Sequence, residues 1–146
     1  MIKEFVEKWD KNKDKLEDFI KTHKQDDYYS YEDLVKLLFN IIINANEERE
    51  FDVFDTDNII TIDDGNYQGT QIFILHKNSY QPIVKEYVYT SVYYGSCSGC
   101  DTLQFIQSQN YGYDIPTENQ VKDYMTLCLH LLQKCHYMQE TSDNDE

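Results

Sequence analysis

"TQIFILHKNSYQPIVKEYVYTSVYY", residues 70–94, decides the fold. Its two runs, 70–76 and 83–94, are rich in β-branched and aromatic residues, and the "KNSYQP" between them is turn chemistry. In the second run Val84, Glu86, Val88, Thr90 and Val92 share one face, while Tyr87, Tyr89, Ser91 and Tyr93 share the other. Both faces are partly apolar. Helices are therefore expected over one, leaving the tyrosines to solvent or a partner.

Working outward, "NIITID" (58–63) is β-branched and "DDGNYQG" (63–69) is a turn cluster, so a further strand joins by a hairpin. Before it, Phe51 and Val53 already alternate with acids. Three to four antiparallel strands are expected. Nearer the start, Ile2, Phe5, Val6, Trp9, Leu16, Phe19 and Ile20 recur at helical spacing and predict an amphipathic helix over residues 1–22. "HKQDDYYS" breaks it. Ser30, with Asp33 three positions on, caps a second helix that is apolar nearly all round from Leu34 to Ile43, the expected buried spine.

Downstream, Gly95 ends the long strand. Asp101 and Gln104 stand at capping-box positions before "TLQFIQSQ", and "NYGYDIP" reads as a loop. Thr117 and Gln120 repeat the capping logic for a final helix to about Met138, with Val121, Met125, Cys128, Leu132 and Cys135 on one stripe. The fold class is α+β: a small antiparallel β-meander packed by N-terminal and C-terminal helices. Residues 1–139 are expected to form a single domain, and 140–146 a flexible acidic tail.

The chain has 146 residues and a formal charge of −14, unevenly spread. Residues 1–24 carry seven lysines against six acids, whereas "EEREFDVFDTDNIITIDD" (47–64) carries eight acids against Arg49, a net of −7. The plain reading of such charge is solubility. The functional one is a partner: phosphate backbones and anionic lipid are repelled, and a basic protein surface is attracted. Direct nucleic-acid and membrane binding are accordingly not expected. "MIKEFVEKWDKNKDK" lacks the apolar run of a secretory signal, and "LVKLLFNIIINA" (34–45) is too short to span a bilayer. These features predict a cytoplasmic setting in which the four cysteines are thiols.

"GSCSGCD" (95–101) carries the only motif with chemical promise. A zinc site needs four ligands. Cys97 and Cys100 supply two, but Cys128 and Cys135, seven apart on one expected helix, would be separated by about 10.5 Å of rise. His130 and His136 fit no better, and His76 would have to come from elsewhere. No cofactor is predicted, and zinc stands as an alternative. A redox CxxC at a strand-to-helix junction resembles the thioredoxin-like placement, but Asp101 directly after Cys100 opposes a thiolate, and the motif follows a meander rather than an early parallel strand. The reading adopted is a tight corner: Gly95 and Gly99 supply backbone freedom, Asp101 caps, and the thiols are small apolar filler facing the Cys128–Cys135 stripe. "DVFDTDN" fails as a calcium loop at Ile59, and no phosphate-binding, dinucleotide, zinc-protease or nucleophile-elbow motif occurs.

The segment from "DDGNYQGTQ" through the "YQP" turn to "YGSCSGCDTLQ", with the later "QVKDYMTLCLHL", resembles an uncharacterised family of small bacteriophage-encoded proteins. The resemblance covers about residues 63–132 and implies a viral origin, with no activity to carry over. Combined with the charge, it leads to an expected function: an acidic phage protein that binds and inhibits or redirects a host protein inside the infected bacterium. A nucleic-acid-binding defence factor such as a CRISPR nuclease fits that role. The expected partner-binding residues are Glu47, Glu48, Glu50, Asp52, Asp55, Asp57, Asp63 and Asp64, forming one continuous anionic face. The alternative is a small-ligand-binding protein or enzyme at the corner, using Tyr93, Tyr94, Cys97, Cys100 and Asp101.

Overall fold

The computed structural model describes residues 1–110 and 114–139. The acidic tail expected at 140–146, and part of the loop expected at 110–116, lie outside the described residues.

Helix α1, Lys3–Thr22, buries Phe5, Trp9, Asn12, Leu16 and Ile20, the stripe that its 3.6-residue period predicts. Asn12 interrupts that stripe and donates its amide to the Lys8 carbonyl at 3.0 Å. The segment expected only to break the helix is a 3₁₀ turn, Gln25–Tyr28, that buries Gln25 and Tyr28 and leaves Asp26 and Asp27 exposed. Tyr28 donates its hydroxyl to the Ile20 carbonyl at 2.9 Å. Helix α2, Tyr31–Leu37, starts with the reciprocal Ser30–Asp33 capping box. It runs on as π-helical turns through Leu38–Ile43, whose buried Leu38, Phe39, Ile42 and Ile43 complete the spine. Asn44 then clamps the return of the chain, bonding both the N–H and the carbonyl of Phe54. Asn46 follows at φ 65°, a left-handed position that asparagine tolerates.

Four antiparallel strands follow in sequential order: β1 Ile60–Asp63, β2 Gly69–His76, β3 Tyr87–Tyr94 and β4 His136–Tyr137. The architecture is the expected α+β meander with helices from both ends of the chain. Phe73, Leu75, Val88, Thr90 and Val92 are buried beneath the helices. On the other face Ile60, Ile74, Tyr89 and His136 line up across all four strands. Helices α3, Thr102–Gln107, and α4, Glu118–Gln133, occupy the β3–β4 connection. Thr90 ties sheet to helix by donating to the Leu131 carbonyl at 2.7 Å, both groups being buried.

Three expectations are corrected. The run read as a strand from residue 83 opens with a 3₁₀ turn, Val84–Glu86, which leaves Val84 exposed, and β3 begins only at Tyr87. The period-2 pattern at 51–53 is a 3₁₀ turn, Glu50–Asp52, followed by an isolated bridge between Phe54 and Lys77. The final helix stops at Gln133 rather than Met138. The outer edge of β3 offers unpaired groups, and residues 136–138 take up those at its start: Val88 pairs with Tyr137, Tyr89 with His136, and the Met138 N–H donates to the Tyr87 carbonyl at 2.9 Å.

Candidate functional site

The acidic residues of 47–64 do not form one face. Glu47 and Asp52 border a groove with Lys8 of α1, Lys77 and Tyr137 of β4, whereas the acids from Asp55 onward follow the outer edge of the sheet, where all four residues of β1 are exposed. The Asp55 N–H donates to the His76 carbonyl, at one end of β2, while Asp63 pairs with Gln71 and the Asp64 carboxylate accepts from the Thr70 N–H near the other. Eight residues of strand separate these ends by about 23 Å. Glu47 is paired with Lys8 of α1, and Asp52 with Arg49. The continuous anionic face is therefore corrected to an acidic edge and a groove whose acids are partly neutralised. Packing of residues 38–43 against α1, where Lys8 also donates to the Ile43 carbonyl at 2.6 Å, brings Glu47 to Lys8, and sequence adjacency could not foresee that.

The remaining acids divide by role. Asp55 accepts from the Asp57 N–H and from the Asn58 amide, both at 2.8 Å, and these bonds, led by Asn58, hold its pKa below the usual carboxylate value. Asp63 accepts from the Tyr94 hydroxyl at 2.5 Å and the Gly65 N–H at 3.0 Å, which lower its pKa likewise. Tyr94 is pushed up in turn, to about 12, chiefly by that same bond to an anion. Glu48, Glu50 and Asp57 are exposed.

The corner at 95–101 is closed by a buried carboxylate. Asp101, 5% exposed, accepts from the Tyr31 hydroxyl at 2.8 Å, the Gly95 N–H at 2.9 Å and the Gln104 N–H at 3.1 Å. The cap is as expected, but Gln104 turns its amide to the Gly95 carbonyl at 3.0 Å instead of completing a box. Tyr31 also accepts from the Leu103 N–H, so α2 is bolted to the start of α3. Gly95 is required here: a Cβ would lie 2.4 Å from the Cys100 carbonyl oxygen and 2.6 Å from its sulfur.

The thiols are not filler. Cys97 and Cys100 are exposed, with sulfurs 2.9 Å apart, whereas Cys128 and Cys135 are fully buried. Burial pushes the two inner thiols up to about 12. Cys100 is shifted the other way, lowered first by the Cys97 thiol and then by the Cys97 N–H. Asp101 aims its charge inward, so the opposition expected from it does not arise. Nor do the tyrosines converge on the sulfurs: Tyr94 turns to Asp63, and Tyr93, its neighbour along an alternating strand, lies exposed on the opposite face. Among the described residues, no group of three or more metal-ligating side chains is assembled. No helix among them is long and apolar enough to cross a membrane.

Sequence reasoning also missed a buried polar hub. Gln25 accepts from the Tyr124 hydroxyl at 2.6 Å and donates to the Asn110 side chain at 2.7 Å, while Gln120 donates to Asn110 and to the Ile106 carbonyl. Glutamines carry no positional signature that announces such a network. No protein-family model, curated protein or solved structure matches the chain.

Proposed function

We propose that the chain is a binding protein whose acidic sheet edge occupies a cationic surface on a bacterial host protein and so inhibits or redirects it. One observation carries this reading: every residue of the edge strand β1 is exposed, and exposed carboxylates stand at both of its ends, Asp57 before it and Asp63 and Asp64 at its close. Ile60 and Ile62, 49% and 47% exposed, add apolar contact between the charged ends. Charge steers such an encounter and sets its salt dependence, while a desolvated apolar centre holds the complex. The resemblance to phage proteins makes a host defence factor with a nucleic-acid-binding groove, such as a CRISPR nuclease, the fitting kind of partner.

The test uses Glu48, Glu50 and Asp57, which bear the charge without shaping the turns. The triple variant E48K/E50K/D57K is expected to keep the fold, as read by circular dichroism. It is also expected to lose host proteins that the wild-type chain captures at low salt and releases at high salt. Equal retention by the variant, capture indifferent to salt, or no capture by the wild-type chain would overturn the reading.

A further inference from the structure

The four cysteines fall into two physical classes. Cys128 and Cys135 are sealed in the core, one on α4 and one just beyond it, with thiols that burial keeps protonated. Cys97 and Cys100 stand outside, on a turn closed by the bond from the Cys100 N–H to the Cys97 carbonyl at 3.0 Å. Their placement is not a loop accident. Asp101, Tyr31 and Gln104 lock the backbone on the inner side, and Gly95 admits the Cys100 sulfur where a side chain would collide with it. The inner side is hydrogen-bonded to its neighbours; the outer side presents two sulfurs to solvent.

The Cys100 sulfur meets both kinds of partner: as a thiol it donates to the Cys97 carbonyl at 3.3 Å, and as a thiolate it has donors of its own. The Cys97 N–H donates to it at 3.2 Å, and the Cys97 sulfur lies at 2.9 Å. With Cys97 as the protonated partner, its thiol and then its N–H lower the Cys100 pKa, the property that separates reactive from inert cysteines. Bringing the two sulfurs from 2.9 Å to a bonded separation of about 2.05 Å needs under about 1 Å of movement in an exposed turn.

We propose that Cys97 and Cys100 form a redox-active dithiol that exchanges with a disulfide co-substrate, with Cys100 attacking and Cys97 resolving. In the first step the Cys100 thiolate attacks one sulfur of R–S–S–R. The S–S bond breaks, one RS⁻ leaves, and a mixed disulfide remains on Cys100. In the second, Cys97 loses its proton to the departed thiolate and attacks the Cys100 sulfur. The Cys97–Cys100 bond forms, the mixed disulfide breaks, and the second RS⁻ leaves to take a proton from water. The protein dithiol is oxidised by two electrons and the co-substrate is reduced to two thiols. This property is independent of the acidic edge.

The experiment incubates the full chain with oxidised glutathione or, separately, with a disulfide-bonded protein such as insulin. Acid quenching is followed by intact-mass and peptide mapping. The wild-type chain is expected to lose the mass of two hydrogens, mapped to a bond between residues 97 and 100 and reversed by a dithiol reductant. C97S should instead accumulate a stable glutathione adduct on Cys100, and C100S should react at least about tenfold more slowly. Oxidation by glutathione alone assigns a low-molecular-weight co-substrate; oxidation by insulin alone assigns a protein disulfide. A wild-type chain that stays reduced with both, or keeps a glutathione adduct without closing the bond, would overturn the proposal. Equal rates for C97S and C100S would overturn the assigned roles. Should either variant lose its fold, the wild-type mass and its reversal still decide.

Discussion

Gly95 and Asp101 show how much of the corner rests on single atoms. Gly95→Ala would drive a methyl group against the Cys100 carbonyl, at 2.4 Å from its oxygen, and is expected to cost about 1–3 kcal/mol in urea denaturation. Tyr31→Phe removes a donor from a buried carboxylate and an acceptor from the Leu103 N–H, with an expected loss of about 1–3 kcal/mol by the same measurement. At the hairpin, Tyr94 holds the Asp63 pKa below its ordinary 3.8. A carboxyl group depressed on folding stabilises the protein above its unfolded pKa, and that contribution fades as the pH falls through the lower folded value. Tyr94→Phe should therefore raise the Asp63 titration midpoint, read from its carboxyl carbon by NMR. The stability gap between variant and wild type should narrow as the pH drops below 3.8. At this scale the sequence was half legible. Asp101 announced its cap through position alone, whereas cysteine, equally at home in a core or on a reactive turn, did not announce its exposure.

Among the elements, those with a chemical start signal or a clean period were readable before any coordinates. Ser30 with Asp33, and Thr117 with Gln120, begin helices where their side chains predict. The alternation along β3 sorted Val88, Thr90 and Val92 inward. What escaped is structure set by a partner distant in the chain. "CHYM" at 135–138 continues a helical period, and only the free edge of β3 turns it into a strand. The same cause hid the bond from Thr90 to Leu131, across 41 positions. Met138→Pro would delete the N–H that Tyr87 accepts. It is expected to cost about 1 kcal/mol and to speed amide exchange in Tyr87–Tyr94 relative to β2, a contrast that a helix running through 138 would not produce.

For the molecule as a whole, the two thiol classes serve as opposite probes. Cys97 and Cys100 should react with a thiol reagent in the folded state. Cys128 and Cys135, both 0% exposed, should react only as the structure opens, at a rate that tracks unfolding in denaturant. Reaction of all four at one rate would contradict the buried core. The charge distribution was legible at this scale as an excess of acid, but its geometry was not, because Lys8 reaches Glu47 across 39 positions. The strand order has its own consequence for biosynthesis. β4 is translated 42 residues after β3 ends. At about 5–20 residues per second on the ribosome, the outer rim of β3 waits roughly two to eight seconds for its neighbour. During that interval the nascent polypeptide offers an unsealed β-ribbon, and chaperone occupancy should peak there and fall once residues 136–137 clear the exit tunnel.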